Sequence, residues 1–281
     1  MRAAEPVRLG FGRGGIELRQ TLTYWPDLVQ ALFVPAVSIA VLFLMRGHHV
    51  PGTTFSLGSL TLPSVIGMSF AFGGMLGVTA LLSVDREDGT LLRAKATPGG
   101  MTAYVIGKIV LTAATTLTGL ALTLILGRLA FPGVTVTATG WLTLAWVTAL
   151  GLLATIPLGI AIGSLLPDPR FVALLALPMS GIIAISGIFY PITHLPGWLQ
   201  AIGQVFPVYW LGLGMRSALL PPSMAAVELD GSWRHWLVLL ILGGYAIAGL
   251  LAAPPVLRRM ARGESGSRVA ARRERAMLRA T

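Results

Sequence analysis

Apolar residues run along this chain in six stretches, near residues 28–45, 60–84, 103–127, 141–166, 171–190 and 235–257. Each is close to the ~20 residues a helix needs to cross a bilayer. The first lies too late and is too long for a cleaved leader. Just before it, Leu18, Leu22 and Trp25 recur at helical spacing among Glu17, Arg19, Gln20 and Thr23. That pattern predicts a short amphipathic helix over residues 14–26, lying on the membrane surface after a tail at 1–13. Pro26 would end it, and Asp27 with Gln30 would form a capping box for the first span. An elbow helix touching a soluble partner and a plain interface anchor both fit the pattern.

The polar interruptions are unequal. Between the second and third stretches stands DREDGTLLRAKATP, Asp85–Pro98, in a chain with only 11% charged residues. Such an island cannot lie in hydrocarbon, so it projects into water between two spans. A helix over Asp85–Lys95 would place Arg86, Thr90 and Arg93 on one side and Glu87, Leu91 and Lys95 on another. Gly89 interrupts that helix at a cost of ~1 kcal/mol, which points to a close approach or a bend. The segment 191–222, between the fifth and sixth stretches, is too rich in proline for a straight span. Its Trp198, Tyr209 and Trp210 suit an aromatic belt at a membrane interface.

Composition agrees: 54% of residues are hydrophobic and mean hydropathy is +0.77, the signature of an all-α polytopic membrane protein. The net charge of +10 therefore speaks to topology and anionic lipid, not to nucleic acid. Lysine and arginine are lopsided. Arg2, Arg8, Arg13, Arg19, Arg86, Arg93, Lys95, Lys108, Arg170 and eight arginines from Arg258 onward fall on one side of the six-span arrangement. Only Arg46, Arg128, Arg216 and Arg234 fall on the other, so both termini and the 85–98 loop are expected in the cytoplasm.

The chemistry the chain lacks narrows its class. There are no cysteines, so thiol catalysis and cysteine-held metal are excluded. Apart from Lys108, no acid or base lies inside the stretches, which disfavours an ion-coupled carrier. His48, His49, His194 and His235 sit in loops or at span ends, leaving Ser180 and Ser186 without a base. The pair His48-His49 lacks a third metal ligand, and no catalytic or metal site is expected. Gly107-Lys108 is no phosphate loop. If ATP drives the protein, ATP and magnesium belong to a second polypeptide, for which the charged loop is the natural dock.

The residues Arg86-Glu87-Asp88-Gly89-Thr90-Leu91 with Thr97-Pro98 carry a resemblance. So do Tyr190-Pro191-Ile192, Leu195-Pro196-Gly197-Trp198-Leu199, Phe206-Pro207-Val208-Tyr209 and Arg216. Together with the order of parts, they make the chain similar to type-2 permeases of ABC transporters, especially the daunorubicin/doxorubicin-resistance type. The resemblance covers the chain to about residue 257. It implies a type-2 exporter fold with a six-span domain over 27–257, re-entrant helices over 191–222, and a dimer, with a second copy or a paralogue, carrying two ATPase subunits. It implies that the loop 85–100 is a coupling helix, with Asp85, Arg86, Glu87, Asp88, Gly89, Thr90, Leu91 and Arg93 meeting the ATPase. It also implies a path lined by the second and fifth spans, where Ser69, Phe70, Phe72, Met75, Met179, Ile183, Ser186 and Phe189 are the candidates. Small and soft residues suit both that role and ordinary helix packing. Trp198, Phe206 and Tyr209 would form an outer gate, or else belong to a surface loop.

The basic tail, 258–281, either contacts anionic lipid or only reinforces topology. Arginine, alanine and glycine abound while lysine appears only at positions 95 and 108, a bias of GC-rich bacterial genomes that points to an inner membrane. The expected function is ATP-driven export of a hydrophobic or amphipathic compound. Export of a lipid-linked glycan or lipid is the alternative within the family, and a non-ABC membrane enzyme or assembly factor is the alternative outside it.

Overall fold

A computed structural model describes residues 4–45, 47, 57–130, 136–166 and 169–263. Helix α1, Ala4–Thr23, is followed after a bend at Tyr24 by α2, Trp25–Met45. The second apolar stretch becomes one 30-residue rod, Gly58–Glu87, in which α3 (Leu57–Phe70) passes through a π-helical turn (Ala71–Gly77) into α4 (Val78–Glu87). A short helix α5 (Thr90–Lys95) leads to α6 (Gly100–Ala130), α7 (Ala138–Leu165) and α8 (Pro169–Ile185). A 3₁₀ turn, α9 (Gly197–Val205), α10 (Pro207–Leu219) and two further 3₁₀ turns precede α11 (His235–Gly263).

Among the described residues, four helices are long and apolar enough to cross a membrane: Gly58–Glu87, Gly100–Ala130, Ala138–Leu165 and His235–Gly263. Two shorter apolar helices, Pro35–Leu44 and Phe171–Ile185, occupy the first and fifth expected spans. The fifth stops short of residue 190 because Gly187 turns at φ +64° and Pro191 cannot continue a helix.

Two further boundaries differ from the sequence reading. Helix α1 begins at Ala4, not Gly14, and Gly10 and Gly14 let its middle lie closely against α6. A Cβ at Gly10 would stand 2.6 Å from Ile106 Cβ, and one at Gly14 would stand 2.7 Å from Val110 Cβ. The spacing is the small-x3-small seam of close helix pairs. Helix α11 runs past residue 257 and takes Arg258, Arg259 and Arg262 into its last turns. The rest of the tail lies outside the described residues, as do His48, His49 and the side chains of the Asp27–Gln30 box.

The core is built on the Gly58–Glu87 rod and α7, with α10 wedged between them. Apart from Arg216 and Ser217 helix α10 is apolar on every side, and it is buried along nearly its full length, as a helix without a solvent face must be. Glycines set the approach: a Cβ on Gly67 would meet the Gly212 backbone nitrogen at 2.7 Å, and one on Gly151 would meet Leu211 Cδ2 at 2.8 Å. The π turn crosses α7 as closely, with Gly74 against Thr155 and Gly159 against Met75 and Val78. The Thr79 hydroxyl donates to Met75 O (2.7 Å) in the widened turn and lies 2.9 Å from Gly159 O on α7, so its one proton is shared between the two carbonyls. A second cluster joins α4, α5, α6, α7 and α11 around Leu82, Leu91, Tyr104, Ile160 and Leu257.

Candidate functional site

The charged island is two structures, not the single helix expected over Asp85–Lys95. Helix α4 ends at Glu87; Asp88 and Gly89 make a turn in which Gly89 takes φ +78°, and α5 restarts at Thr90. A side chain at residue 89 would be strained there, so the glycine is a bend. Asp88 Oδ1 accepts from Thr90 N at 2.7 Å, and Arg93 Nη2 donates to Thr90 Oγ1 at 2.8 Å. Thr90 and Arg93 thus share a side, as their spacing predicts. Thr97 Oγ1 donates to Ala94 O at 3.1 Å, and Gly99 (φ +71°) turns the chain into α6.

The eight residues expected to meet a partner divide into three sets by exposure. Asp88 and Arg93 are exposed, together with Lys95, Thr97 and Pro98; Arg86, Glu87 and Thr90 are half-buried. Arg86 Nη1 donates to Leu166 O, tying the island to the end of α7. Asp85, Gly89 and Leu91 face inward. Leu91 belongs to the buried cluster that also holds Val78, Leu82 and Ile160, so the apolar contact expected for a partner is spent within the chain.

Asp85 belongs to a buried ion cluster. Lys108 Nζ lies 2.9 Å from both Asp85 Oδ2 and Glu17 Oε2, at only 5% side-chain exposure. Tyr104 OH donates to Asp85 Oδ2 at 2.7 Å, and Arg13 Nε donates to Glu17 Oε1 at 2.8 Å. Arg13 also stands over the Tyr104 ring, 5.1 Å from its centroid. Burial pushes the Glu17 carboxyl up, but the hydrogen bonds and charges of Lys108 and Arg13 outweigh it and hold Glu17 below its ordinary 4.5. One ammonium thus pins three elements together: α1, the end of α4 beside the island, and α6. The sequence reading noted Glu17 and Lys108 separately; the pairing escaped it. Its traces were a lone lysine inside an apolar stretch and the Gly10-x3-Gly14 spacing that brings Glu17 to it.

Of the candidate path residues, Phe70, Met179, Ile183 and Ser186 are buried inside this one chain, and Phe70 packs on Gly151. Ser69, Phe72, Met75 and Phe189 are half-buried. Ser69 Oγ donates to Ile66 O at 2.7 Å and Ser186 Oγ to Ile182 O, so both hydroxyls are turned to their own helices. Of the candidate gate residues, Trp198 is 65% exposed, Phe206 is half-buried and Tyr209 is enclosed, edge-on to Trp210. Behind them Arg216 is 2% exposed and grips Glu228 with two bonds, Nε–Oε1 at 2.7 Å and Nη2–Oε2 at 3.2 Å. Its Nη1 reaches Ser64 Oγ at 2.7 Å and Gly187 O at 3.2 Å, so one guanidinium fastens the 191–231 excursion to α3 and the end of α8.

A sequence model of the family described as ABC-2 family transporter protein matches residues 28–253. The chain belongs to the ABC-2 transporter family. It is accordingly a multi-pass membrane permease subunit, of a family that works with a partner ATPase. No curated protein matches the chain. The matched span contains the charged island, the excursion and every helix from α3 to α10. Helix α1, which supplies Glu17 to the ion cluster, precedes it.

Proposed function

We propose that this ABC-2 permease is an exporter of hydrophobic or amphipathic compounds, of the drug-resistance type, with six spans and both termini in the cytoplasm. The first and fifth spans are α2 and α8, the shorter apolar helices. The arginine asymmetry supports the orientation. Two copies pair, and each carries an ATPase subunit on the exposed edge of the island: Asp88, Arg93, Lys95 and the Thr97-Pro98 turn.

The observation that carries this reading is the combination of an exposed edge and a braced back. Leu91 and Ala94 are buried in the chain's own second cluster, and Asp85 is locked by Lys108 and Tyr104. A push on the exposed edge therefore moves α4, α6 and α1 together, which a solvated turn would not do. The bilayer-level surfaces are apolar, including the exposed face of α8 at Phe171, Leu174 and Leu177, and they suit a greasy cargo and a second permease.

Purification of the tagged chain from its native membrane in mild detergent tests the reading. A stoichiometric soluble protein with a Walker A motif is expected, and it should be lost from the Asp88→Arg/Arg93→Glu variant while membrane insertion is unchanged. Recovery of the chain without an ATPase, or an ATPase retained by that variant, overturns the docking assignment.

A further inference from the structure

At the end of the membrane domain that carries the 191–231 excursion, α7 and α11 part to leave a cleft of about 390 Å³, lined by Thr143, Trp146, His235, Trp236 and Leu239. Deeper down the two helices are in tight contact, where a Cβ at Gly249 would stand 3.0 Å from Pro157 Cβ. Near their starts Trp146 stands between them, with the His235 ring edge-on at 6.4 Å and 71°. The cleft opens sideways: Trp236, Leu239 and neighbouring Leu240 are all more than half exposed, on helices that cross the membrane.

Its chemistry is specific in three ways. Two indoles, Trp146 and Trp236, line the cleft, and the face of an indole attracts an ammonium group. The indole N–H groups of Trp146 and Trp236 and the His235 ring have no hydrogen-bond acceptor among the described residues. They are donors for a phosphodiester or ester oxygen. Formal positive charge is kept away, since Arg234 is committed to Asp230 and to Gln204 Oε1. Below the rim, Leu239 continues an apolar wall into the bilayer. A ligand that fits must carry an ammonium and a phosphate close together, no large net charge, and a long apolar tail.

We propose that this cleft holds one zwitterionic glycerophospholipid of ethanolamine-headgroup chemistry, drawn from the leaflet on the excursion side. Its ammonium lies against the indoles, its phosphate takes the N–H groups and one acyl chain runs along Leu239. The proposal rests on α7 and α11 crossing the bilayer, and neither on the direction of insertion nor on the transported compound.

Full-length protein is purified from an equimolar mixture of phosphatidylethanolamine and phosphatidylglycerol, and the lipid retained per chain is measured by native mass spectrometry. A photoactivatable phosphatidylethanolamine locates the contact by peptide mapping. One retained ethanolamine lipid is expected, favoured over the glycerol lipid by about fivefold, the size of one partly desolvated cation–π contact. The crosslink should fall on α7 residues 143–146 or α11 residues 235–239. Trp236→Ala, at an exposed position that folding does not need, should cut retention about fivefold, while Trp141→Ala, another exposed tryptophan on α7 outside the cleft, should not. Equal retention of both lipids, a crosslink elsewhere, or equal loss in the two variants would overturn the proposal in favour of a general aromatic belt.

Discussion

Removing the ammonium of Lys108 is a small change with a large expected effect beside the charged island. Lys108 Nζ is 2.9 Å from carboxylate oxygens of both Glu17 and Asp85, so those oxygens are at most twice that distance, 5.8 Å, apart. In Lys108→Met they would face each other with no cation between them. At 5.8 Å and an effective dielectric near 20, two unit charges repel by ~3 kcal/mol. Arg13 still holds Glu17 and Tyr104 still donates to Asp85, which offsets part of that repulsion. Breaking a buried pair by deleting one partner costs ~3–5 kcal/mol in general, and the two figures agree. At ~2 °C per kcal/mol for a large chain, the midpoint of thermal unfolding in detergent should fall by ~6–10 °C. The assay is size-exclusion of a fluorescent fusion after heating. Adding Asp85→Asn to Lys108→Met removes the repulsion and should recover at least half of the loss. A melt for Lys108→Met within 1–2 °C of the parent by this scale would refute the reasoning, as would a double variant less stable than the single one.

Four further outcomes follow from the same geometry. Gly67→Val should prevent stable folding because its Cβ would meet the α10 backbone, whereas Gly181→Ala, with nothing within 4 Å, should be neutral; monodisperse yield of each variant distinguishes them. Arg216→Met should destabilise by ~3–5 kcal/mol and detach the excursion, read as faster proteolysis in residues 191–231, and adding Glu228→Gln should restore part of the loss. Because the Glu17 carboxyl is held below its usual 4.5, its pairing stabilises the fold fully above that pH and is lost as pH falls through the lower folded value. Melting should therefore hold steady from neutral pH to about 5 and drop below it, and Glu17→Gln should flatten that acid limb. Gly89→Ala should reduce ATPase co-purification by misdirecting α5, since the bend needs φ +78°.

The long apolar rods were legible from hydropathy alone, because a helix that crosses lipid must be both long and apolar. A break at Gly89 was legible too, as a close approach or a bend, and the fold chooses the bend. What escaped was anything decided by packing between distant segments. Helix α1 reaches back to Ala4, and its Gly10 and Gly14 fit Ile106 and Val110, partners nearly a hundred residues away. Tyr209 and Trp210 read as belt aromatics, yet they are enclosed, because α10 is wedged between α3 and α7 instead of lying at the interface. Arg216 had two acidic neighbours in sequence, Glu228 and Asp230, and only the fold chooses between them, giving Glu228 to Arg216 and Asp230 to Arg234. Asp85 and Leu91 stood among the docking residues that the resemblance implies, and both are buried within the chain, which is why the proposed dock is confined to the exposed edge beside them.

The absence of cysteine permits a direct test of where force enters. A single cysteine at Arg93, carrying a photoactivatable crosslinker, is irradiated in native membranes, with cysteines at Leu129 and Leu251 as exposed apolar controls. The proposed coupling predicts one adduct from residue 93, to a protein with a Walker A motif, and none to that protein from the controls. An island that crosslinks to no ATPase, or an ATPase captured equally from residue 251, would contradict it.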